Sequence, residues 1–289
     1  MKYNNKAYWT DMHRKYKGEL RAVAYPTLSE YLNQLKYRSE ANVVLRGLKE
    51  IRSQFRKNGK EAISLLDIGA GSGYWSDLIH RELIEQGFEV SVTALDVSED
   101  ALEVVRERRP QFSTVCEDLR TIDIDQFRHA FDVVASCYCL HHLVRLDDFL
   151  NGLRFAGRSV KEGGFLILMD PMLTLPFSRF DVIVFSSYHR NGIPRHLYLI
   201  EDVLSREGFR RHGVWPAVSF LLNGNIEAYD PLSYMLMRLL WGGLSFFYKS
   251  DHFVRLFSTI LIYLDEILKR LGLAFSSSLC IYERTSSWG

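Results

Sequence analysis

Short apolar runs alternate with stretches of helical period along the first two thirds of the chain. The stretch after the first run, for example, carries Trp75, Leu78, Ile79 and Leu83 at helical spacing. Alternation of this kind predicts an α/β fold around a mainly parallel sheet. The runs predicted as strands are residues 62–68, 90–95, 112–115, 131–136 and 165–169.

The first run leads into a glycine-rich turn. Asp67 lies at the strand end, and Gly69, Gly71 and Gly73 follow before the helical pattern that begins at Tyr74. Such glycines let the backbone approach a ligand closely, and the helix N-terminus offers free N–H groups. A carboxylate here disfavours a pyrophosphate and suits a nucleoside that bears an ammonium group. The dinucleotide fingerprint G-x-G-x-x-G also differs, because Tyr74 occupies the position of its last glycine.

The later runs are followed by polar side chains at the same predicted sheet edge. The second run leads to Asp96, whose two acceptor oxygens suit two vicinal hydroxyl groups, and Ser98 can cap the next helix. Asp118 follows the third run, and the fourth leads into the segment Cys-Tyr-Cys-Leu-His-His-Leu at 137–143. A Gly-Gly turn precedes the fifth run, and residues 201–209 carry the pattern acid-x-x-Leu-x-x-x-Gly-Phe.

This series of motifs, over roughly residues 62–217, resembles the class I S-adenosylmethionine-dependent methyltransferases. The resemblance implies S-adenosylmethionine as cofactor. It also implies a Rossmann-like sheet of order 3-2-1-4-5-7-6, with residues 279–283 as the antiparallel last strand. In the family, the acid of the second strand binds the ribose hydroxyls, and helices near the N-terminus cover the cofactor. The cofactor-binding residues implied are Asp67, Gly69, Ala70, Gly71, Gly73, Asp96, Val97, Asp118, Leu119 and Cys137, with Tyr8, Trp9 and Arg38 from the cover.

Three segments extend the predicted core. Residues 1–60 are predicted as a helical cover, 171–197 as an aromatic-rich loop insertion, and 221–277 as an apolar helical insertion, with the core at 61–220 and 278–289. We expect all three to converge over the carboxyl edge of the sheet, where ligands of parallel sheets bind. The apolar insertion has four interpretations: packing on the core, a homodimer interface, a wall of a hydrophobic substrate pocket, or contact with a membrane surface.

Charge and composition limit the binding partners and the cellular location that we expect. The net charge of +1 combines +9 over residues 1–60 with −8 over the rest. This basic segment is consistent with a solvated helix face, a phosphate-bearing substrate or an anionic membrane, and the sequence shows no strong signal for nucleic acid. We expect no secretory leader and no transmembrane span. The four cysteines are Cys116, Cys137, Cys139 and Cys280, which we expect to be free thiols in the cytoplasm.

The chemistry of methyl transfer is an in-line displacement, so the protein chiefly has to align donor and acceptor. A hydroxyl acceptor benefits from a base, and His141 and His142, after the fourth strand, are the first candidates, with Tyr138 beside them. Tyr138, His189 and His196 rank second. Metal-dependent members of the family need several carboxylates after the fourth and fifth strands. Here one appears, Asp170, so we expect no catalytic metal.

The function predicted from the sequence is S-adenosylmethionine-dependent methylation of a small or lipid-like acceptor, through oxygen, in secondary or glycoconjugate metabolism. The alternative is a protein of the same fold that binds the cofactor without methylation, as a regulatory protein, a scaffold or a cyclase. An intact glycine loop with Asp96 indicates cofactor binding and does not by itself distinguish the two.

Overall fold

The computed structural model describes residues 5–173, 185–186, 192–228, 230–274 and 276–285. Its main feature is a seven-stranded sheet of order β3-β2-β1-β4-β5-β7-β6. Strands β1 to β5 are parallel, and β7 runs antiparallel to both β5 and β6. The strands are β1 Ala62–Ile68, β2 Glu89–Asp96, β3 Ser113–Cys116, β4 Phe131–Cys137, β5 Val160–Asp170, β6 Phe209–Pro216 and β7 Ser278–Arg284. The predicted sheet order and the antiparallel last strand are confirmed.

Helices connect and cover these strands. Ser98 caps α4 as predicted, since its side chain accepts a hydrogen bond from the Ala101 N–H at 3.3 Å. The helix predicted before the sixth strand ends at Arg206, because Gly208 takes a positive φ of 82° and β6 then begins. The helices are α1 Asn5–Lys15, α2 Glu30–Lys57, α3 Tyr74–Glu85, α4 Glu99–Arg108, α5 Leu146–Ser159, α6 Leu197–Arg206, α7 Pro231–Phe247 and α8 Asp251–Arg270. Short 3₁₀ turns lie at Leu20–Ala22 and Leu140–His142.

Apolar clusters fill both faces of the sheet. One joins α2 and α3 to the sheet, with Phe55 of α2 edge-on to Phe165 of β5 at 5.5 Å between ring centroids. The other joins α5 and α6 to the opposite face. The C-terminal half of α2 is therefore part of the core, so residues 1–60 do more than cover the cleft.

The helical insertion packs against the N-terminal half of α2. Leu32 and Leu35 of α2 share a third apolar cluster with Trp241 and Tyr248 of the α7 region and Leu261 of α8. This contact places the insertion against α2.

Most of the predicted loop insertion at 171–197 falls outside the described residues. Within the part that is described, Met172–Leu173 pairs with Arg195–His196, and Phe185–Ser186 pairs with Glu227–Ala228. His189, one of the second-rank candidates, lies outside the described residues.

Candidate active site

The glycine turn after β1 is shaped by backbone that only glycine adopts readily. Gly69, Gly71 and Gly73 have φ values of 71°, 53° and 82°, in the left-handed region. A Cβ on Gly69 would also lie 2.4 Å from the Cys139 Sγ. The turn is tied to the neighbouring strand, because the Gly69 and Ala70 N–H groups donate to the Leu95 carbonyl at 2.7 and 3.0 Å.

Asp96, at the end of β2, faces this turn. One carboxylate oxygen accepts from the Gly71 N–H and the other from the Ser98 N–H, each at 2.9 Å. A carboxylate has about four lone-pair sites, so two bonds leave capacity for further donors. Burial raises the pKa of Asp96, although the nearby His13 acts to lower it.

Asp67 lies beneath the turn, away from the cavity wall. It is 1% exposed, and one oxygen accepts a hydrogen bond from the Ser76 hydroxyl of α3. The other oxygen has no hydrogen-bond partner among the described residues. Burial raises the pKa of Asp67 to about 6. Any contact of Asp67 with an ammonium group would therefore need an intermediary, such as a water molecule.

A cavity of about 810 Å³, including its open mouth, lies over the turn and the carboxyl ends of β1, β2 and β4. Its lining contains many of the residues predicted for the site. They are Trp9, Gly69, Ala70, Gly71, Asp96, Val97, Asp118, Leu119, Cys137, Tyr138 and His142.

Other predicted residues lie away from the lining. Gly73 begins α3, Tyr8 packs edge-on to Trp9, and Arg38 is exposed on α2. His141 is buried beneath the wall, and His196 precedes α6 with its ring beside Tyr198.

Several lining residues from the N-terminal segment were not predicted. They are His13 of α1, Val23 after the 3₁₀ turn Leu20–Ala22, and Tyr37 of α2. His13 stands four positions after Trp9, which puts both side chains on one face of α1. The spacing of Trp9 and His13 could therefore have predicted His13 as a lining residue. No local pattern predicts Tyr37, whose ring is stacked on Trp75 at 5.4 Å between centroids.

The paired histidines have different surroundings. The His142 ring lines the cavity and lies edge-on to Trp9 at 4.8 Å. The His141 ring lies 3.9 Å from the His142 ring, and its Nδ1 is 2.6 Å from Oδ1 of Asp170. Burial lowers the pKa of His141 to about 3 and raises that of Asp170 to about 8. Both shifts favour a neutral, hydrogen-bonded pair behind the half-buried His142 imidazole.

A buried charged cluster supports Tyr138. This residue follows β4 with φ 59°, an unusual value for a side-chain-bearing residue, and its hydroxyl donates to Glu40 of α2. Glu40 also forms an ion pair with Lys36 at 2.7 Å, both side chains being at most 5% exposed. The Lys36 ammonium lies 4.1 Å from the Tyr138 ring centroid. Neither Lys36 nor Glu40 belongs to a motif, so the local pattern does not predict their role.

Two further findings concern the described residues. They bring together no group of three or more His, Cys, Asp or Glu side chains that could hold a metal ion. None of their helices has both the length and the apolar character needed to cross a bilayer.

Comparison with known proteins supports a methyltransferase domain. Residues 65–164 match a family model described as a methyltransferase domain. The demethylmenaquinone methyltransferases of two strains of Tropheryma whipplei, Twist and TW08/27, are each 28% identical over 141 residues. These residues are 48% of this chain and 53% of each relative, so the chain spans about half the length of the curated relatives it matches.

Solved structures of similar fold include two S-adenosylmethionine-dependent methyltransferases. The one from Mesorhizobium loti is 16% identical, with 82% of this chain and 96% of that chain covered and a TM-score of 0.47. The one from Archaeoglobus fulgidus is 18% identical, with 84% and 93% covered and a TM-score of 0.46. Residues 65–164 are therefore a methyltransferase domain, and the observed sheet order and G-x-G-x-G turn agree with the resemblance to the S-adenosylmethionine-dependent class.

Proposed function

We propose that this protein transfers a methyl group from S-adenosylmethionine to a small or lipid-like acceptor, most readily at an oxygen atom. The observation that carries the proposal is the continuity of one cavity. It extends from the glycine turn and Asp96 to Tyr138 and His142. A cofactor-binding end and a base-bearing end therefore share the same space.

The residues at the cofactor end fit this ligand. Asp96 retains acceptor capacity for two ribose hydroxyls, and the positive-φ glycines leave the backbone open to close approach. Val97 and Leu119 supply apolar surface for an adenine ring, and Asp118 an acceptor for its amino group. When bound, S-adenosylmethionine supplies an electrophilic methyl group on a sulfonium.

At the other end of the cavity, we assign the base to His142. The Trp9 and His141 rings fix its imidazole from two sides, which limits the orientations open to it. The neutral His141–Asp170 pair behind it adds no charge of its own, so it orients the base without holding it protonated. Tyr138 supplies a polar group on the same wall, held by Glu40.

The acceptor class is supported by the apolar and aromatic side chains that dominate the lining. The relatives in Tropheryma whipplei are named for demethylmenaquinone, which agrees with a lipid-like acceptor. The proposal includes a location in the cytoplasm, consistent with the four cysteines being free. We do not propose a nucleic-acid substrate. Homodimerisation through the apolar insertion is an alternative role for that segment.

The test has two stages. Titration calorimetry should show binding of S-adenosylmethionine and S-adenosylhomocysteine and no binding of NAD, and equal affinity for NAD would contradict the proposal. Small molecules from cells with and without the protein should then be compared for a mass increase of one methyl group. Cofactor binding without any methylated product would favour the alternative, a cofactor-binding protein that does not methylate.

A further inference from the structure

The helices α7 and α8 present a broad apolar face to solvent. On α7 the most exposed large side chains are Leu232, Leu239 and Phe246, at 68%, 67% and 71%. On α8 they are Leu256 and Tyr263, each at 67%. The remaining exposed side chains of this surface are Met235, Leu236, Leu240, Phe247, Phe257, Ile260, Leu264, Leu271 and Leu273. We call these side chains together the hairpin face. Single exposed apolar residues are common, but so many large ones on two successive helices and the residues after them indicate an interaction site.

The orientation of the hairpin face is fixed by what lies on the other side of the two helices. Trp241 and Leu261 point inward, into the cluster shared with α2. Asp265 of α8 is 1% exposed and accepts hydrogen bonds from the Ser39 hydroxyl and, at 2.7 Å, from the Ser219 N–H. Lys269 completes this buried group at 3.2 Å from Asp265. A polar group buried in this way allows one rotation of α8, so the helix cannot turn its apolar face inward without losing these bonds.

Exposed basic side chains outnumber exposed acids around the hairpin face, although Arg270 is paired with Glu266 at 3.3 Å. Arg238, Lys249, Arg255 and Arg270 are exposed. Arg238 precedes Leu239 by one residue, which places it about 100° around the helix, at the edge of the apolar stripe.

Acids of this region are fewer, with Asp230 and Asp251 exposed and Glu266 half-buried. Asp251 accepts a hydrogen bond from the Ser29 hydroxyl, and Asp265 is buried. Glu266 is paired with Lys269 at 3.0 Å. An apolar stripe bordered by basic side chains is typical of helices that lie in the interface of an anionic bilayer.

We propose that the hairpin face docks on a lipid bilayer that contains anionic headgroups. The apolar side chains would enter the boundary between headgroups and acyl chains, while Arg238 and Lys249 would contact lipid phosphates. A symmetric contact between two copies fits less well, because it would bring the same basic borders together with few exposed acids to neutralise them. The inference does not depend on methyl transfer, since none of the described residues of α7 and α8 lines the cavity.

Vesicle flotation tests this with the full chain. The vesicles are phosphatidylcholine alone or phosphatidylcholine with one quarter phosphatidylglycerol. Leu239→Glu with Phe246→Glu should lower the bound fraction on the anionic vesicles at least about tenfold. Ile84→Glu with Leu146→Glu is the matched control, because these side chains are 45% and 48% exposed on α3 and α5. The control should float like the parent protein.

A second pair of variants tests the charge. Arg238→Gln with Lys249→Gln should weaken binding to the anionic vesicles and leave the weaker binding to phosphatidylcholine nearly unchanged. Thermal melting and S-adenosylhomocysteine titration of every variant should match the parent, which separates this result from a failure of the proposed function.

Three results would overturn the proposal. The first is a parent protein that does not float with anionic vesicles. The second is an equal loss of flotation in the control pair. The third is a parent protein that light scattering shows to be a dimer without vesicle binding, with the Leu239→Glu and Phe246→Glu variant a monomer, because the face would then join two copies of the chain.

Discussion

Removal of one member of the buried Lys36–Glu40 pair should cost far more stability than removal of both. The two side chains are 5% and 0% exposed, and the ammonium lies 2.7 Å from the carboxylate. Loss of one partner from such a pair costs about 3–5 kcal/mol, because an uncompensated charge stays buried. We therefore expect Lys36→Met and Glu40→Gln each to lower the free energy of unfolding by about 3 kcal/mol or more.

The thermal midpoint offers a direct readout. For domains of this size class, each kcal/mol shifts the midpoint by about 2–4 °C, so each single variant should melt roughly 6 °C or more below the parent. The double variant Lys36→Met with Glu40→Leu replaces the pair by apolar volume and should melt above either single variant. It should not regain the parent midpoint fully, since the Tyr138 hydroxyl loses its acceptor Glu40.

The assay is scanning calorimetry combined with titration of S-adenosylhomocysteine. Neither Lys36 nor Glu40 lines the cavity, so cofactor affinity should remain within about threefold of the parent in the folded double variant. Additive losses in the double variant would refute the reasoning, because additivity means that the two charges do not interact. A single variant that melts within 2 °C of the parent would refute it as well, since about 2 °C corresponds to less than about 1 kcal/mol.

Other residues of the site give predictions of their own. Asp96→Ala should lower cofactor affinity roughly tenfold or more, because the ribose hydroxyls lose an acceptor worth about 1.5–3 kcal/mol per bond; calorimetry checks this, and unchanged affinity would remove Asp96 from the site. His142→Ala should reduce turnover of the acceptor about a hundredfold with little change in cofactor affinity, whereas a loss of affinity alone would remove the base assignment. The pKa of Asp170 is about 8 in the folded protein and about 3.8 in the unfolded chain, so this group makes the free energy of unfolding fall as pH rises toward 8. His141 acts in the opposite direction below its unfolded pKa of about 6.5, so the fall should be clearest between about pH 6.5 and 8. Asp170→Asn should flatten the melting temperature over that interval, and an unchanged slope would contradict the neutral pair.

Local pattern was sufficient to predict the sheet and the meeting of the glycine turn and Asp96 at one cavity. The run at 62–68, the glycines at 69, 71 and 73 and the acid Asp96 all belong to one or two adjacent elements. Parallel strands bring their carboxyl ends to one edge, so consecutive motifs have to converge there. The confirmed sheet order and the lining by Gly69, Gly71 and Asp96 reflect this.

Some predictions differ from the structure because they depend on packing between distant segments, which the local pattern does not specify. We expected the apolar insertion to converge on the carboxyl edge, yet none of the described residues of 221–277 lines the cavity. Its buried residues are instead complementary to Leu32 and Leu35 of α2. The apolar pattern of α8 predicts that one face of the helix packs against a partner, but it does not identify that partner.

The same distinction holds within the active site. The sequence by itself determined that two histidines follow β4, but their different surroundings come from the single turn Leu140–His142, which buries His141 beside Asp170 and turns His142 toward Trp9. Only the tertiary structure brought Glu40, distant by 98 positions, to the Tyr138 hydroxyl. Period and propensity act over a few residues, whereas a buried charge is stabilised by whichever group the fold places beside it. The motifs at the strand ends could therefore be predicted from the sequence. The polar contacts that hold these side chains in place depend on which distant residues the fold brings together.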